Sequence, residues 1–239
     1  VVAPAFEQIL EIQALDLRLR QLKHRLANHP LLEELAVTKQ EVTGLASEVS
    51  AIEARKHGLE RDLKRLSDEV ATLEVKRQDI ETKLYDGSVT ASGDLLAMQG
   101  EGASLLSRQQ GLEDQELEIM EEMEGVGADL AEAGSRLTAL AENRDDIEQR
   151  LADATVELES EMAAVAEDRA RQVEPANPAL LATYERLASE LDGVAVARFV
   201  DGRCDGCHMQ LSAMAADQLN RASDDEAVNC EECGRLLVR

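Results

Sequence analysis

Apolar side chains over residues 31–86 recur in steps that alternate three and four without a slip. The line runs from Leu35 through Thr38, Val42 and Leu45 to Leu84, and twelve of its fifteen positions are apolar. Only Thr38, Lys56 and Arg77 interrupt it. A repeat sustained over about seven heptads is the seam of a coiled-coil helix; an amphipathic globular helix stops sooner and carries a wider apolar face. A second seam runs from Leu95 to Val165. Sixteen of its twenty-one positions are apolar, and Gly102, Gln109, Glu116, Arg144 and Glu161 are the exceptions. No Pro lies between Pro30 and Pro175, so nothing forces a kink in either helix. The spacing predicts helices over 31–86 and 94–173.

Between the seams, residues 86–94 contain Gly87, Gly93 and small polar side chains, a turn in which Ser92 or Asp94 can cap the second helix. A connection this short makes the helices antiparallel neighbours. At 1.5 Å per residue the return arm is roughly 120 Å long and residues 31–86 only about 85 Å. A third helix, over about 5–28, makes up the difference. Its Ile12, Leu15, Leu19, Leu22 and Leu26 keep the spacing, and Asn28-His29-Pro30 separates it from the next. Pro175 and Pro178 end the return arm. A short helix over about 178–191 follows, with Tyr184 and Leu187 on its apolar side, then Gly193 and a strand over 194–200. The expected fold is mainly α: a long antiparallel coiled-coil hairpin (residues 1–174), then a short helix and a small β-rich module (175–239).

Composition narrows the class. Aromatics are 2% of 239 residues (Phe6, Tyr85, Tyr184, Phe199), too few for an ordinary core of this size, while 44% hydrophobic content argues against disorder. No apolar run reaches membrane-spanning length, and no signal peptide is visible, although Val1 places the original start upstream. The net charge of −24 disfavours a nucleic-acid coat or an anionic-membrane binder. Residues 92–174 hold 6 basic and 22 acidic groups, against 13 and 16 in residues 1–91. If the turn centres near residue 90, numbers summing to about 180 face one another. Lys56, Arg61, Lys64 and Arg65 then lie beside the acidic run Glu113–Glu122, which favours intramolecular antiparallel pairing.

All four cysteines fall in two pairs, Cys204-Asp205-Gly206-Cys207 and Cys230-Glu231-Glu232-Cys233. Each tight turn aims two thiolates at one centre, and two turns complete a tetrahedron around Zn²⁺. Gly206 and Gly234 are expected at positive φ in those turns. With Phe199-Val200 before the first pair and Leu236-Leu237-Val238 after the second, the layout is a zinc ribbon holding one structural zinc on Cys204, Cys207, Cys230 and Cys233. Four thiolates leave no position for a catalytic water. His208, next to Cys207, is expected to be an exposed or strand-borne residue and not a ligand. No phosphate-binding loop, nucleophile elbow or His/carboxylate constellation is found, so no catalytic or cofactor-binding residue is assigned.

Further landmarks carry a family resemblance: Lys83-Leu84-Tyr85 with Val89 at the turn, Leu112-Glu113-Asp114-Gln115-Glu116-Leu117 followed by Met120-Glu121, Tyr184-Glu185-Arg186-Leu187, and Cys230-Glu231-Glu232-Cys233-Gly234-Arg235-Leu236-Leu237. With the cysteine pairs, they make the chain resemble, over essentially its whole length, bacterial proteins that join a coiled-coil hairpin to a C-terminal four-cysteine zinc ribbon. Some of those relatives are linked to flagellar gene control through the alternative sigma factor, to RNA binding and to secretion components. The resemblance implies a non-enzymatic adaptor.

The expected function is thus a cytoplasmic, non-enzymatic, zinc-binding adaptor or scaffold engaging a protein partner, with no membrane role. The alternative is nucleic-acid binding through the ribbon, RNA ahead of DNA. Residues 194–239 hold five Arg against eight Asp/Glu, and only Phe199 for stacking. Arg198, Arg203, Arg221, Arg235 and Arg239 would have to share one face. Tyr184, Phe6 and Phe199 are a candidate apolar patch. The sequence leaves the partner's identity and the oligomeric state open.

Overall fold

The computed structural model describes residues 4–222 and 226–238. Three helices come first: α1 (Pro4–Ala27), α2 (Pro30–Tyr85) and α3 (Ser92–Val173). They are followed by α4 (Pro178–Glu190), β1 (Val196–Val200), β2 (Arg203–Cys204), α5 (Ala213–Arg221), β3 (Val228–Asn229) and β4 (Leu236–Val238). No helix among the described residues is long and apolar enough to cross a membrane. The chain forms two compact units, a hairpin unit (Glu34–Ile147) and a ribbon unit (Val1–Glu33 with Glu148–Arg239). The first helix and the end of the third therefore group with the β-rich module.

In the hairpin unit α2 and α3 pack antiparallel along the two seams. All fifteen seam positions of α2 are buried or half-buried; elsewhere between residues 31 and 86 only Leu31, Gly58 and Glu69 escape full exposure. Ile80 reaches to 3.8 Å from where a Cβ on Gly102 would stand, and Arg55 Nη2 donates to Glu122 Oε1 at 2.6 Å. These partner numbers sum to 182 and 177. A salt bridge across the helices comes from Arg55, which is not one of the four cations expected. Arg55 and Glu122 each stand one residue before a seam position, where flanking side chains of antiparallel helices meet. Lys56, Lys64 and Arg65 instead pair along their own helix, with Glu60 (4.0 Å), Asp68 (3.2 Å) and Glu69 (3.0 Å). At the turn Gly87 takes φ +75, and Asp86 Oδ1 accepts from the Ser88 N–H at 2.8 Å. Neither the Ser92 nor the Asp94 side chain makes a capping bond at the start of α3 among the described residues. The Ala91 carbonyl opens the helix, accepting from the N–H groups of Asp94 and Leu95.

In the ribbon unit α1 runs antiparallel to the end of α3. Arg18 bonds Glu161, and Gln8 Nε2 donates to the Gln172 carbonyl at 2.9 Å. Asn177 caps α4, its side chain accepting from Ala179 and Leu180 N–H ahead of Pro178 at the first turn. The sheet order is β2-β1-β4-β3. β1 pairs antiparallel with β2 and parallel with β4, and β3 pairs antiparallel with β4. Strand alternation divides its residues between two cores. Val196, Leu236 and Val238 join Phe6, Ile9, Ile12, Tyr184 and Leu187 from α1 and α4. Ala197, Val228 and Leu237 join Cys204, Cys230, Leu211, Ala215 and Leu219 on the other side. Phe6 and Tyr184 are 6% and 1% exposed, and Phe199 packs on the second core. The expected apolar patch is core, because both faces of the sheet are covered.

Two polar devices tie α1 to the rest of the unit. Buried Gln13 acts as a substitute peptide group at the edge of β1: its Oε1 accepts from Ala195 N–H (2.7 Å) and Val196 N–H (2.8 Å), and its Nε2 donates to the Val196 carbonyl (2.9 Å). Asp16 takes two helices at once, accepting from Arg169 Nε at 2.6 Å and from the Tyr184 hydroxyl at 2.8 Å. Burial and that hydrogen bond push the Tyr184 phenol well above its ordinary value.

Candidate metal centre

The two cysteine pairs are delivered by two turns of the same construction. The Asp201-Gly202 hairpin, with φ of 51 and 81, joins β1 to β2 and sets Cys204 against Phe199. The first turn closes with the His208 N–H on the Cys204 carbonyl (2.7 Å), and Cys204 N–H donates to the Met209 carbonyl (3.0 Å). The second repeats this. The Gly234 N–H meets the Cys230 carbonyl (2.9 Å), and Cys230 N–H donates to the Arg235 carbonyl (2.8 Å). The residue after each second cysteine takes the left-handed conformation: Gly234 at φ +74 and His208 at φ +63. Gly206 does not, contrary to the expectation from sequence. It is small for a different reason. A Cβ there would stand 2.6 Å from Arg235 Cδ and 3.0 Å from the Ala197 Cβ.

All four Sγ atoms lie within 4.8 Å of one another, with Cys204–Cys233 and Cys207–Cys230 both at 3.9 Å. Sulfurs about 2.3 Å from one tetrahedral centre are about 3.8 Å apart, so the donor set fits a zinc ion. Its electrostatics agree. Burial pushes the Cys204 thiol up to about 12 and raises Cys230 as well. Burial also works upward on Cys233, but hydrogen bonds from Arg235, Cys207 and Cys230 together outweigh it and bring that thiol to about 7. Four clustered sulfurs cannot all ionise without a cation to replace their protons. Cys204, Cys207, Cys230 and Cys233 would hold one structural Zn²⁺, with the shell closed by protein. His208 is exposed and stands outside this cluster.

The connection between the pairs contains α5, which the pattern of apolar positions had not predicted. Ser212 accepts from Ala215 N–H at 3.1 Å as its N-cap and lies 3.3 Å from Glu231 Oε2 beside the second pair. Ala215 and Leu219 turn inward. The signal is present, a Ser before a nine-residue segment in which seven residues favour helix, with an apolar pair four apart. Three of the five ribbon arginines are engaged by neighbouring groups. Arg198 pairs with Glu7 (3.0 Å), Arg221 with Asp217 (2.9 Å), and Arg235 Nε donates to the Val194 carbonyl (2.8 Å). Arg203 is exposed, and Arg239 lies outside the described residues.

Residues 12–192 match the CT398-like coiled coil hairpin domain, and residues 203–237 match a C4-type zinc ribbon domain. Uncharacterised proteins of two Mycobacterium tuberculosis strains, CDC 1551 and H37Rv, are each 27% identical over 231 residues, covering 97% of this chain and 94% of theirs. A solved Mycobacterium smegmatis structure superposes with a TM-score of 0.84 at 22% identity, covering both chains fully. The structure of CT398 from Chlamydia trachomatis does so with a TM-score of 0.70 at 22% identity, covering 98% of this chain and 96% of that one. At that identity the likeness to the solved structures is one of fold.

Proposed function

The chain belongs to the family of CT398-like coiled coil hairpin proteins, and from that premise we propose that it is a non-enzymatic adaptor whose ribbon unit binds another protein. The closed thiolate shell carries this reading: a metal with four protein ligands fixes a shape and leaves no position for a reacting water. Because both faces of the sheet are covered, the unit offers its outer turns to a partner. These carry exposed Asp201, Asp205, Glu231, Glu232 and Met209, and Met214 is exposed in the first turn of α5. An acidic surface with adaptable methionines suits a basic protein surface. Clustered thiols imply a reducing compartment, and the cytoplasm is the location consistent with this reading.

RNA binding through the ribbon is the competing reading. The engagement of Arg198, Arg221 and Arg235 with neighbouring groups supports the adaptor, since those cations are not held for phosphates. Exposed Arg203 is the observation in favour of RNA. A pull-down from the protein's own cells, with and without nuclease, separates the two: the adaptor retains its protein partners after digestion. Filter binding at two salt concentrations provides the second measurement. Submicromolar RNA affinity with a log–log salt slope of about −0.7 per phosphate contact, lost in Arg203→Glu, replaces the adaptor with an RNA-binding protein. Arg235 is unsuitable for this test because its side chain supports the Cys204 turn.

A further inference from the structure

The hairpin unit holds 12 Lys+Arg against 26 Asp+Glu, yet a cavity of 580 Å³ on its surface has the opposite sign. Arg61, Lys64, Arg65 and Lys76 of α2 and Arg108 of α3 surround it, against only Asp68 and Glu69, and Leu73 lies at its floor. Lys64 and Arg65 share the two carboxylates, in exposed pairs that exchange at little cost. Arg61, Lys76 and Arg108 make no ion pair among the described residues. Arg61 and Lys76 towards the two ends of the groove, and Arg108 on α3, are thus cations without an ion pair among the described residues in a strongly acidic unit, and a ligand of negative charge complements them.

We propose that this groove receives an acidic amphipathic helix of a partner protein. Arg61, Lys64/Arg65, Asp68, Thr72 and Lys76 advance in steps of three and four, so they form one line along α2 for about 22 Å, or four turns. A helix laid beside α2 and α3 meets that line with side chains at the same period, acidic ones facing the cations and an apolar one over Leu73. A nucleic-acid strand fits less well. Its charge is continuous, and it would meet Asp68 and Glu69 inside the groove and the six carboxylates of Glu113–Glu122 on α3 beyond it. The inference shares with the adaptor reading the binding of a protein, but it concerns the other unit and a partner of opposite charge.

The test is fluorescence anisotropy on the full zinc-loaded chain with a labelled helical peptide of about fifteen residues bearing Glu at three- and four-residue spacing around a Leu stripe. A peptide with Lys in place of Glu and a single-stranded oligonucleotide are the comparison probes. The Glu peptide is expected to bind at low salt, at least about tenfold more tightly than the Lys peptide, and to weaken as salt rises. Arg61→Ala with Lys76→Ala and Arg108→Ala should reduce its affinity about tenfold or more with the far-UV spectrum unchanged. Arg171→Ala with Arg186→Ala in the ribbon unit should not. Cys230→Ser, which removes the zinc and with it the ribbon's shape, should leave peptide binding intact, so loss of the ribbon's own partner is separable from failure here. Equal binding of the Glu and Lys peptides, indifference to the triple substitution, or tighter binding of the oligonucleotide that the triple substitution abolishes would each overturn the proposal.

Discussion

The hairpin unit and the ribbon unit are similar in size but are held together in different ways. Among the described residues, seven are buried in the hairpin unit (Thr38, Leu45, Leu66, Leu73, Val126, Ala133 and Ile147), while twenty-two are buried in the ribbon unit. With threefold less burial, the hairpin depends on a repeated shallow contact in which no layer is special. The ribbon unit concentrates its stability at points where several elements converge. The metal joins two turns, Gln13 joins α1 to β1, and Asp16 joins α1, α3 and α4. A repeated contact loses a little at each substitution; a convergent one loses much at a few positions.

The largest expected effect tests that contrast directly. Cys230→Ser, or chelation of the wild type, should remove the zinc, whose binding contributes on the order of 10 kcal/mol to modules of this kind. Metal analysis should fall from one zinc per chain towards none. Hydrogen exchange should show the segment from residue 194 onward opened, with residues 34–147 still protected. Next comes Gln13→Leu, which leaves the Ala195 and Val196 N–H groups and the Val196 carbonyl buried without partners. A cost of about 4 kcal/mol in denaturant unfolding of the zinc-saturated protein is expected from three such losses. In the hairpin, Glu69→Pro should cost about 3 kcal/mol by breaking the ladder of α2, and zinc should be fully retained. The smallest effect has the opposite sign. Gly125 and Gly127 lie inside α3, and a Cβ added at either would meet nothing within 4 Å, so no neighbour requires them to be glycine. Gly125→Ala and Gly127→Ala should each stabilise the hairpin by about 1 kcal/mol in thermal melting. Stabilisation confined to zinc-dependent unfolding would contradict the independence of the two units.

What is legible in the sequence follows the same division. The seams are readable to the residue because a heptad is local and repeats: each apolar position is supported by those three and four away. The cysteine pairs are readable because their spacing is set by a turn. Three features leave no local mark. Gln13 looks like an ordinary polar position on α1, and its partners are more than 180 residues away. Asp16, Arg169 and Tyr184 come from three helices and share no motif. The parallel pairing of β1 with β4 joins Val196 to Leu236 across both cysteine pairs, and no local spacing specifies it. At Gly206 the sequence indicates a small residue but not its cause, because the crowding comes from Arg235, on the far side of the site.

The core that α1 shares with β4 also constrains the order of events during synthesis. Ile9 and Ile12 are fully buried, and Leu236 is among the residues that cover them. Residues 9 and 236 are 227 positions apart in the chain. At roughly 5–20 residues per second the ribosome takes on the order of 10–45 s to reach the second after making the first. Throughout that interval the apolar face of α1 has no strand to cover it, while α2 and α3 emerge and are free to zip together. The nascent chain is therefore most prone to aggregation early, at its first helix, and a chaperone that holds this protein on the ribosome would find its binding segment around Phe6–Ile12.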